Sequence, residues 1–166
     1  MATGPHMLSI VDASSGSPLV QVRVLFQEYA ESLGIDLCFQ RFDQELATLP
    51  GSYAPPRGRL LLGCWNGDPA GCVGLRPLEN GICEMKRLYV RPSYRGFGVG
   101  RALAERIIAE AGEVGYSSMR LDSLPSMEPA VQLYRRLGFR DMPPYRENPV
   151  PGAVFLELPL AGQTTP

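Results

Sequence analysis

The chain has 166 residues, 45% of them hydrophobic, and a formal net charge of −1 at neutral pH. That length suits one domain with an ordinary buried core, and the near-zero charge offers no basic field for nucleic acid or an anionic membrane. A single histidine (His6) and four cysteines (Cys38, Cys64, Cys72, Cys83) without a C-x-x-C pair argue against a zinc site and against Ser–His or Cys–His catalysis.

Residues 1–6 read as a leader, 7–160 as the domain and 161–166 as a tail. Residues 8–12 predict a first strand. Ser15, Ser17 and Pro18 then mark a helix start, and Leu19, Val22, Phe26, Tyr29 and Leu33 follow at helical spacing until Gly34. A shorter helix is expected over Phe39–Leu49, stopped by Pro50-Gly51, with loop chemistry through residue 58. Arg59–Trp65 and Ala70–Leu78 read as strands joined by an Asn66-Gly67-Asp68 hairpin turn. A second turn at Asn80-Gly81 leads into a third strand, which Pro92 ends because it has no N–H for a central ladder. Ser117–Asp122 reads as a strand, Pro129–Leu137 as a short helix capped by Gly138, and Phe139 onward and Ala153–Leu158 as the last two strands. The order β-αα-βββ-α-β-α-ββ predicts a single α/β domain built on a mixed sheet.

The informative stretch joins the third of those strands to the next helix. After Pro92 the chain reads Ser-Tyr-Arg95-Gly96-Phe97-Gly98-Val99-Gly100-Arg101, and from Val99 the apolar residues Leu103 and Ile107 repeat every four positions. Strand, glycine loop and helix together aim free backbone N–H groups and a positive helix end at an anion. Arg95 and Arg101 add fixed positive charge. No Lys follows the glycines, so this is not a P-loop, and Leu103 occupies the sixth position of a would-be Gly-x-Gly-x-x-Gly fingerprint. What fits is Arg-x-x-Gly-x-Gly at Arg95, Gly98 and Gly100.

That segment resembles the acetyl-CoA pyrophosphate loop of the GNAT N-acetyltransferase superfamily, and the element order matches the family over nearly all of residues 7–160. The resemblance implies a GNAT-like fold: a mixed, mostly antiparallel sheet of about seven strands with about four helices. It further implies an acetyl-CoA-dependent N-acyltransferase, with residues 95–101 (Arg95, Gly96, Phe97, Gly98, Val99, Gly100, Arg101) on the pyrophosphate. Family members splay the strand before this loop from its neighbour, so the backbone of Leu88 and Val90 would pair with the pantetheine amides. The N–H of Leu88 or Tyr89 would hold the thioester oxygen. No metal is implied.

A second segment, Ala130-Val131-Gln132-Leu133-Tyr134-Arg135-Arg136-Leu137-Gly138-Phe139, is similar to the family's Ala-x-x-Leu-Tyr-x-x-x-Gly-Phe. There the tyrosine protonates the departing thiolate, which a phenol within hydrogen-bond reach is suited to do. Tyr134 is therefore the expected acid. One departure is Met127, where the family often has a cofactor-binding Asn. For the base, Glu84 stands where some relatives carry a glutamate, and others use ordered water alone. Strand alternation would put Glu84, Lys86 and Leu88 on one face unless a bulge shifts the register, with Lys86, the only lysine of the chain, holding Glu84 ionised.

By the same resemblance the acceptor site is built from the first two helices, the loop between them and the last hairpin. Those regions hold Tyr29, Phe39, Phe42, Tyr53, Tyr145, Arg146 and Glu147, and Arg76 is a candidate to bind a carboxylate. The expected acceptor is the primary amine of a small molecule or amino acid. A protein N-terminus or lysine and a non-catalytic acyl-CoA-binding module are the alternatives. A cytoplasmic monomer or homodimer is expected, since the thiols read as reduced, no apolar run nears the roughly twenty residues of a membrane span, and no signal peptide is evident.

Overall fold

The computed structural model describes residues 6–34 and 41–160. Seven strands form one sheet in the order β1-β2-β3-β4-β5-β7-β6. They are β1 (Leu8–Asp12), β2 (Arg59–Trp65), β3 (Asp68–Glu79), β4 (Ile82–Val90), β5 (Ser118–Ser123), β6 (Arg140–Asp141) and β7 (Val154–Pro159). Only β4 and β5 run parallel; every other neighbouring pair is antiparallel. Among the described residues there are four α-helices: α1 (Gly16–Leu33), α2 (Phe42–Thr48), α3 (Val99–Val114) and α4 (Glu128–Arg136). The mixed sheet and the helix count agree with the sequence expectation.

The hairpins form where their turn residues require. Asn66 and Gly67 both take positive φ (51° and 87°), the pairing a two-residue turn between twisted strands demands. Alternation along the strands then separates two cores. On one face Leu60, Leu62, Cys72 and Tyr89 meet Val22, Leu25 and Phe26 of α1 and Phe42 of α2. On the other face Leu61, Val73, Leu75, Cys83 and Met85 pack against Leu103 and Ile107 of α3 and Val131 and Tyr134 of α4. Leu103 and Ile107 are fully buried, each contributing about 1.5–3 kcal/mol of transfer free energy.

Some boundaries differ from the sequence reading. Among the described residues α2 begins at Phe42, after Arg41 in a left-handed conformation at φ 54°; Phe39 lies outside the described residues. The strand expected from Phe139 shrinks to Arg140–Asp141, because Pro143 and Pro144 have no N–H to extend the ladder. The His6 ring stacks on Trp65 with ring centroids 5.4 Å apart. Cys64, Cys72 and Cys83 are free thiols. Among the described residues no helix is long and apolar enough to cross a membrane, and no three His, Cys, Asp or Glu side chains gather as a metal site.

Candidate active site

Strands β4 and β5 pair only at their beginnings, Ile82–Glu84 against Ser118–Arg120. Beyond Glu84 they part, and a narrow cleft opens between them. Its walls include Lys86, Leu88, Asp122, Met127, Tyr134 and Asn148. Past Glu84 the edge of β4 is not paired with β5, and the direction of its backbone groups can be worked out. Arg91 N–H donates to Ala70 O of β3 at 2.8 Å, so alternation turns Tyr89 toward β3 and Leu88 and Val90 toward the cleft. The Val90 carbonyl accordingly accepts from Arg95 Nε at 3.0 Å rather than from β3. Of the two amides considered for the thioester oxygen, Leu88 is the one facing the gap.

A bulge sets this register. Gly74 pairs with Lys86 and Cys72 with Tyr89, so two steps of β3 span three of β4. The bulged residue is Arg87, in the left-handed region at φ 62°. Its side chain turns to the α1–α2 face, where Nε meets Glu45 Oε2 at 2.9 Å and the guanidinium lies 5.1 Å from the Phe42 ring centre. Leu88 is thereby carried to the other face, against the α3 core. The bulge that the sequence reading allowed for is this one extra residue, and it takes Leu88 off the face of Glu84 and Lys86.

At the far end of β4, Pro92–Tyr94 make a 3₁₀ turn and Gly96 and Gly98 follow at φ 87° and 83°. A Cβ at either would meet no atom within 4 Å, so glycine is required there for conformation and leaves the loop surface open. Gly100 lies inside the first turn of α3, not in the loop. The first intrahelical bond runs from Ala102 N–H to Gly98 O at 3.0 Å, which leaves the N–H groups of Val99, Gly100 and Arg101 without a helical acceptor. No acidic residue stands in that first turn. Arg101 stands there instead, a cation against the helix dipole, salt-bridged to Glu105 at 2.7 Å. Phe97 is exposed and stacks on Trp65 at 5.3 Å. This end of α3 is therefore suited to an anion.

Tyr134 projects from α4 into the wall of the cleft, with its ring edge-on to Phe139 at 5.8 Å. Burial pushes its phenol above the usual tyrosine range, and no hydrogen bond engages its hydroxyl among the described residues. Met127, the departure from the family motif, also lines the cleft. So does Asn148, which the sequence reading did not single out; it arrives from the last loop and donates to Asp122 Oδ2 at 3.2 Å. Asp122 in turn lies 3.6 Å from Lys86 Nζ. Burial pulls Lys86 down to about 8, against the opposing pull of Glu84.

Glu84 is completely buried. Its Oε1 accepts from Arg76 Nε at 2.9 Å, and its Oε2 accepts from the Tyr145 hydroxyl at 2.6 Å and pairs with Arg146. Burial raises its carboxyl, but Lys86, Arg76 and Arg146 together outweigh that and hold it below the ordinary carboxylate value. Arg76 does not point to bulk solvent: besides Glu84 it lies 3.6 Å from Glu45 Oε1. Tyr29 lines the cleft from α1, with the Arg87 guanidinium 5.8 Å from its ring centre.

The chain is similar to known proteins over most of its length. Residues 20–139 match the model of the acetyltransferase (GNAT) family. An uncharacterized N-acetyltransferase of Schizosaccharomyces pombe is 42% identical over 95% of this chain and 98% of its own. An IAA acetyltransferase of Azospirillum brasilense is 37% identical over 66% of this chain and 72% of its own. Among solved structures, a GNAT acetyltransferase of Staphylococcus aureus superposes with a TM-score of 0.76 at 20% identity, covering 93% of this chain and 99% of that one. An acetyltransferase of Salmonella typhimurium solved with its cofactor acetyl-CoA superposes at 0.67 and 20% identity, covering 96% and 97%. On these matches the chain belongs to the acetyltransferase (GNAT) family, as an acetyl-CoA-dependent N-acyltransferase.

Proposed function

We propose that the enzyme transfers the acetyl group of acetyl-CoA to the primary amine of a small molecule by direct attack. The observation that carries this reading is the parting of β4 from β5 beyond Glu84, with Tyr134 in the wall of the gap. An acyl-CoA arm lying in that gap would meet the outward amides of Leu88 and Val90 as an added strand. The Leu88 N–H is the donor for the thioester oxygen, where charge develops as the amine attacks. The pyrophosphate belongs on the free N–H groups of Val99, Gly100 and Arg101, with Arg95 and Arg101 supplying charge.

Tyr134 gives its proton to the departing thiolate. Its raised pKa keeps it a phenol throughout the neutral range, the form a general acid requires. Glu84 we read as an organiser of the acceptor wall rather than as the base. With no exposed surface and both oxygens engaged, it cannot meet an incoming amine or water as it stands. The amine proton then leaves through solvent. The test is thiol release from acetyl-CoA across a panel of small amines and amino acids, for the wild-type enzyme and Tyr134→Phe. Release that depends on a small amine and falls in the variant supports the reading. An enzyme that binds acetyl-CoA but releases thiol with none of them refutes it.

A further inference from the structure

Phe97 stands in the middle of the glycine loop and is 55% exposed, the one exposed phenylalanine, tyrosine or tryptophan among the described residues. A ring left in water forgoes the stabilisation that burial gives. One face is in use: it lies on Trp65 of β2, with the planes 28° apart and the centroids at 5.3 Å. Trp65 also lies near-parallel to His6, at 5.4 Å and 21°, and so makes a supported backing for the loop ring. Gly96 and Gly98 flank Phe97, and a Cβ on either would meet nothing within 4 Å. The ring thus keeps an open face with open space beside it.

The sheet order puts this ring on a definite side of the site. Strands β2 and β4 both run antiparallel to β3, so Trp65 and Val90 end their strands at the same edge of the sheet. The cleft opens on the β5 side of β4, whereas Phe97 leans the opposite way, across β3 to β2. The pyrophosphate of a CoA carries two substituents, the pantetheine arm and the adenosine. With the arm in the cleft and the pyrophosphate on the first turn of α3, the β5 side is taken. The side left for the adenosine is that of β3 and β2, where Phe97 stands two residues before the helix begins at Val99. Adenine is a flat heteroaromatic base, the kind of partner that an open aromatic face takes by stacking.

We propose that the open face of Phe97 stacks on the adenine base of acetyl-CoA, with Trp65 as its backing. This inference rests on the pyrophosphate placement proposed above and extends it to the nucleotide end of the cosubstrate. A phenyl ring has no donor to offer a phosphate, so the side chain of Phe97 serves the base while the backbone around it serves the pyrophosphate.

The test is calorimetry on the wild-type enzyme, Phe97→Ala and Phe97→Tyr. The ligands are acetyl-CoA and acetyl-phosphopantetheine, which has the arm without the adenosine. Phe97→Ala should weaken acetyl-CoA roughly five- to 150-fold, the about 1–3 kcal/mol of one base stacked on an aromatic ring, and leave acetyl-phosphopantetheine unchanged. Phe97→Tyr keeps the ring and should bind both ligands as the wild type does. Equal weakening of the two ligands in the alanine variant, or weakening of neither, overturns the proposal. Where acetyl-phosphopantetheine binds too weakly to measure, an etheno-adenine derivative of CoA decides. At saturation its base emission should be quenched on the wild-type enzyme and recover on Phe97→Ala; a bright base on the wild-type enzyme overturns the proposal. Failure of the pyrophosphate placement has a separate readout, an unchanged acetyl-CoA affinity in Gly100→Glu.

Discussion

Arg87 and Glu45 tie the bulge of β4 to helix α2. Arg87 Nε donates to Glu45 Oε2 at 2.9 Å and its NH2 group to Oε1 at 3.2 Å, a two-point contact almost sealed from solvent. The pair matters because Arg87 holds a positive φ without being glycine, a conformation that costs about 1–3 kcal/mol and persists only where its surroundings impose it. Side chain and backbone are coupled: the ion pair anchors the residue whose extra length turns Leu88 toward the cleft.

Arg87→Ala should therefore act on both stability and cofactor affinity. Removing one partner of a buried pair costs about 3–5 kcal/mol, which for a domain of this size is a fall in Tm of roughly 6–20 °C. The bulge would lose its anchor, so acetyl-CoA affinity should fall as well. Thermal unfolding and calorimetry read the two separately. An unaltered dissociation constant in a folded but destabilised variant would confine Arg87 to structure.

At the start of α3 the expected signs oppose each other. Gly100→Glu is tolerated by the fold: Gly100 is absent from the positive-φ residues, and a Cβ there makes only a 3.4 Å contact with Val90 Cγ2. A carboxylate in a first helical turn gains about 0.3–1 kcal/mol from the dipole, so the free protein should melt no lower than wild type. The same charge would stand where we propose that the pyrophosphate binds, and acetyl-CoA affinity should then drop roughly a hundredfold or more, as when like charges are juxtaposed at several kcal/mol. Unchanged affinity in calorimetry would remove this helix end from the cofactor site.

These two sites also mark how far the sequence can be read. The α3 loop was legible because Gly96 and Gly98 serve a conformation other residues avoid, and Gly34, Gly67 and Gly115 punctuate the chain for the same reason. The bulge was allowed for only through the family resemblance, since an arginine in the left-handed region carries no sequence signal, and the face of Leu88 stayed open in consequence. Arg76 looked available because its partners Glu84 and Glu45 lie on another strand and on a helix. Asn148 reaches the cleft from a loop 26 residues beyond Asp122, to which it bonds. Charge pairing across distant elements is a property of packing, and no local pattern encodes it.

For Tyr134→Phe the expected loss is in kcat, roughly ten- to ten-thousandfold, with acetyl-CoA affinity little changed. Stability should hold, because the ring contact with Phe139 at 5.8 Å survives and no internal hydrogen bond of the hydroxyl is broken. Steady-state kinetics beside calorimetry make the comparison. A wild-type kcat would return Tyr134 to a packing role in the α3–α4 core.

Glu84→Gln separates a base from an organiser. A base titrating in the free enzyme leaves an acidic limb in the kcat/KM profile, and the amide would abolish it. An organiser leaves the limb in place and shows itself in stability. The folded carboxyl lies below its ordinary value of 4.5, so its contribution is complete above that pH and is lost as the pH falls through the folded value. Glutamine should lower Tm at neutral pH, because Arg76, Arg146 and Lys86 lose the charge between them, an imbalance worth about 3–5 kcal/mol. It should also flatten the decline in stability between pH 4.5 and the acid end, since no carboxyl remains there to protonate. The paired measurement is Tm against pH beside kcat/KM against pH. Loss of the acidic kinetic limb, with Tm at neutral pH unmoved, would make Glu84 the base and overturn its assignment to the frame.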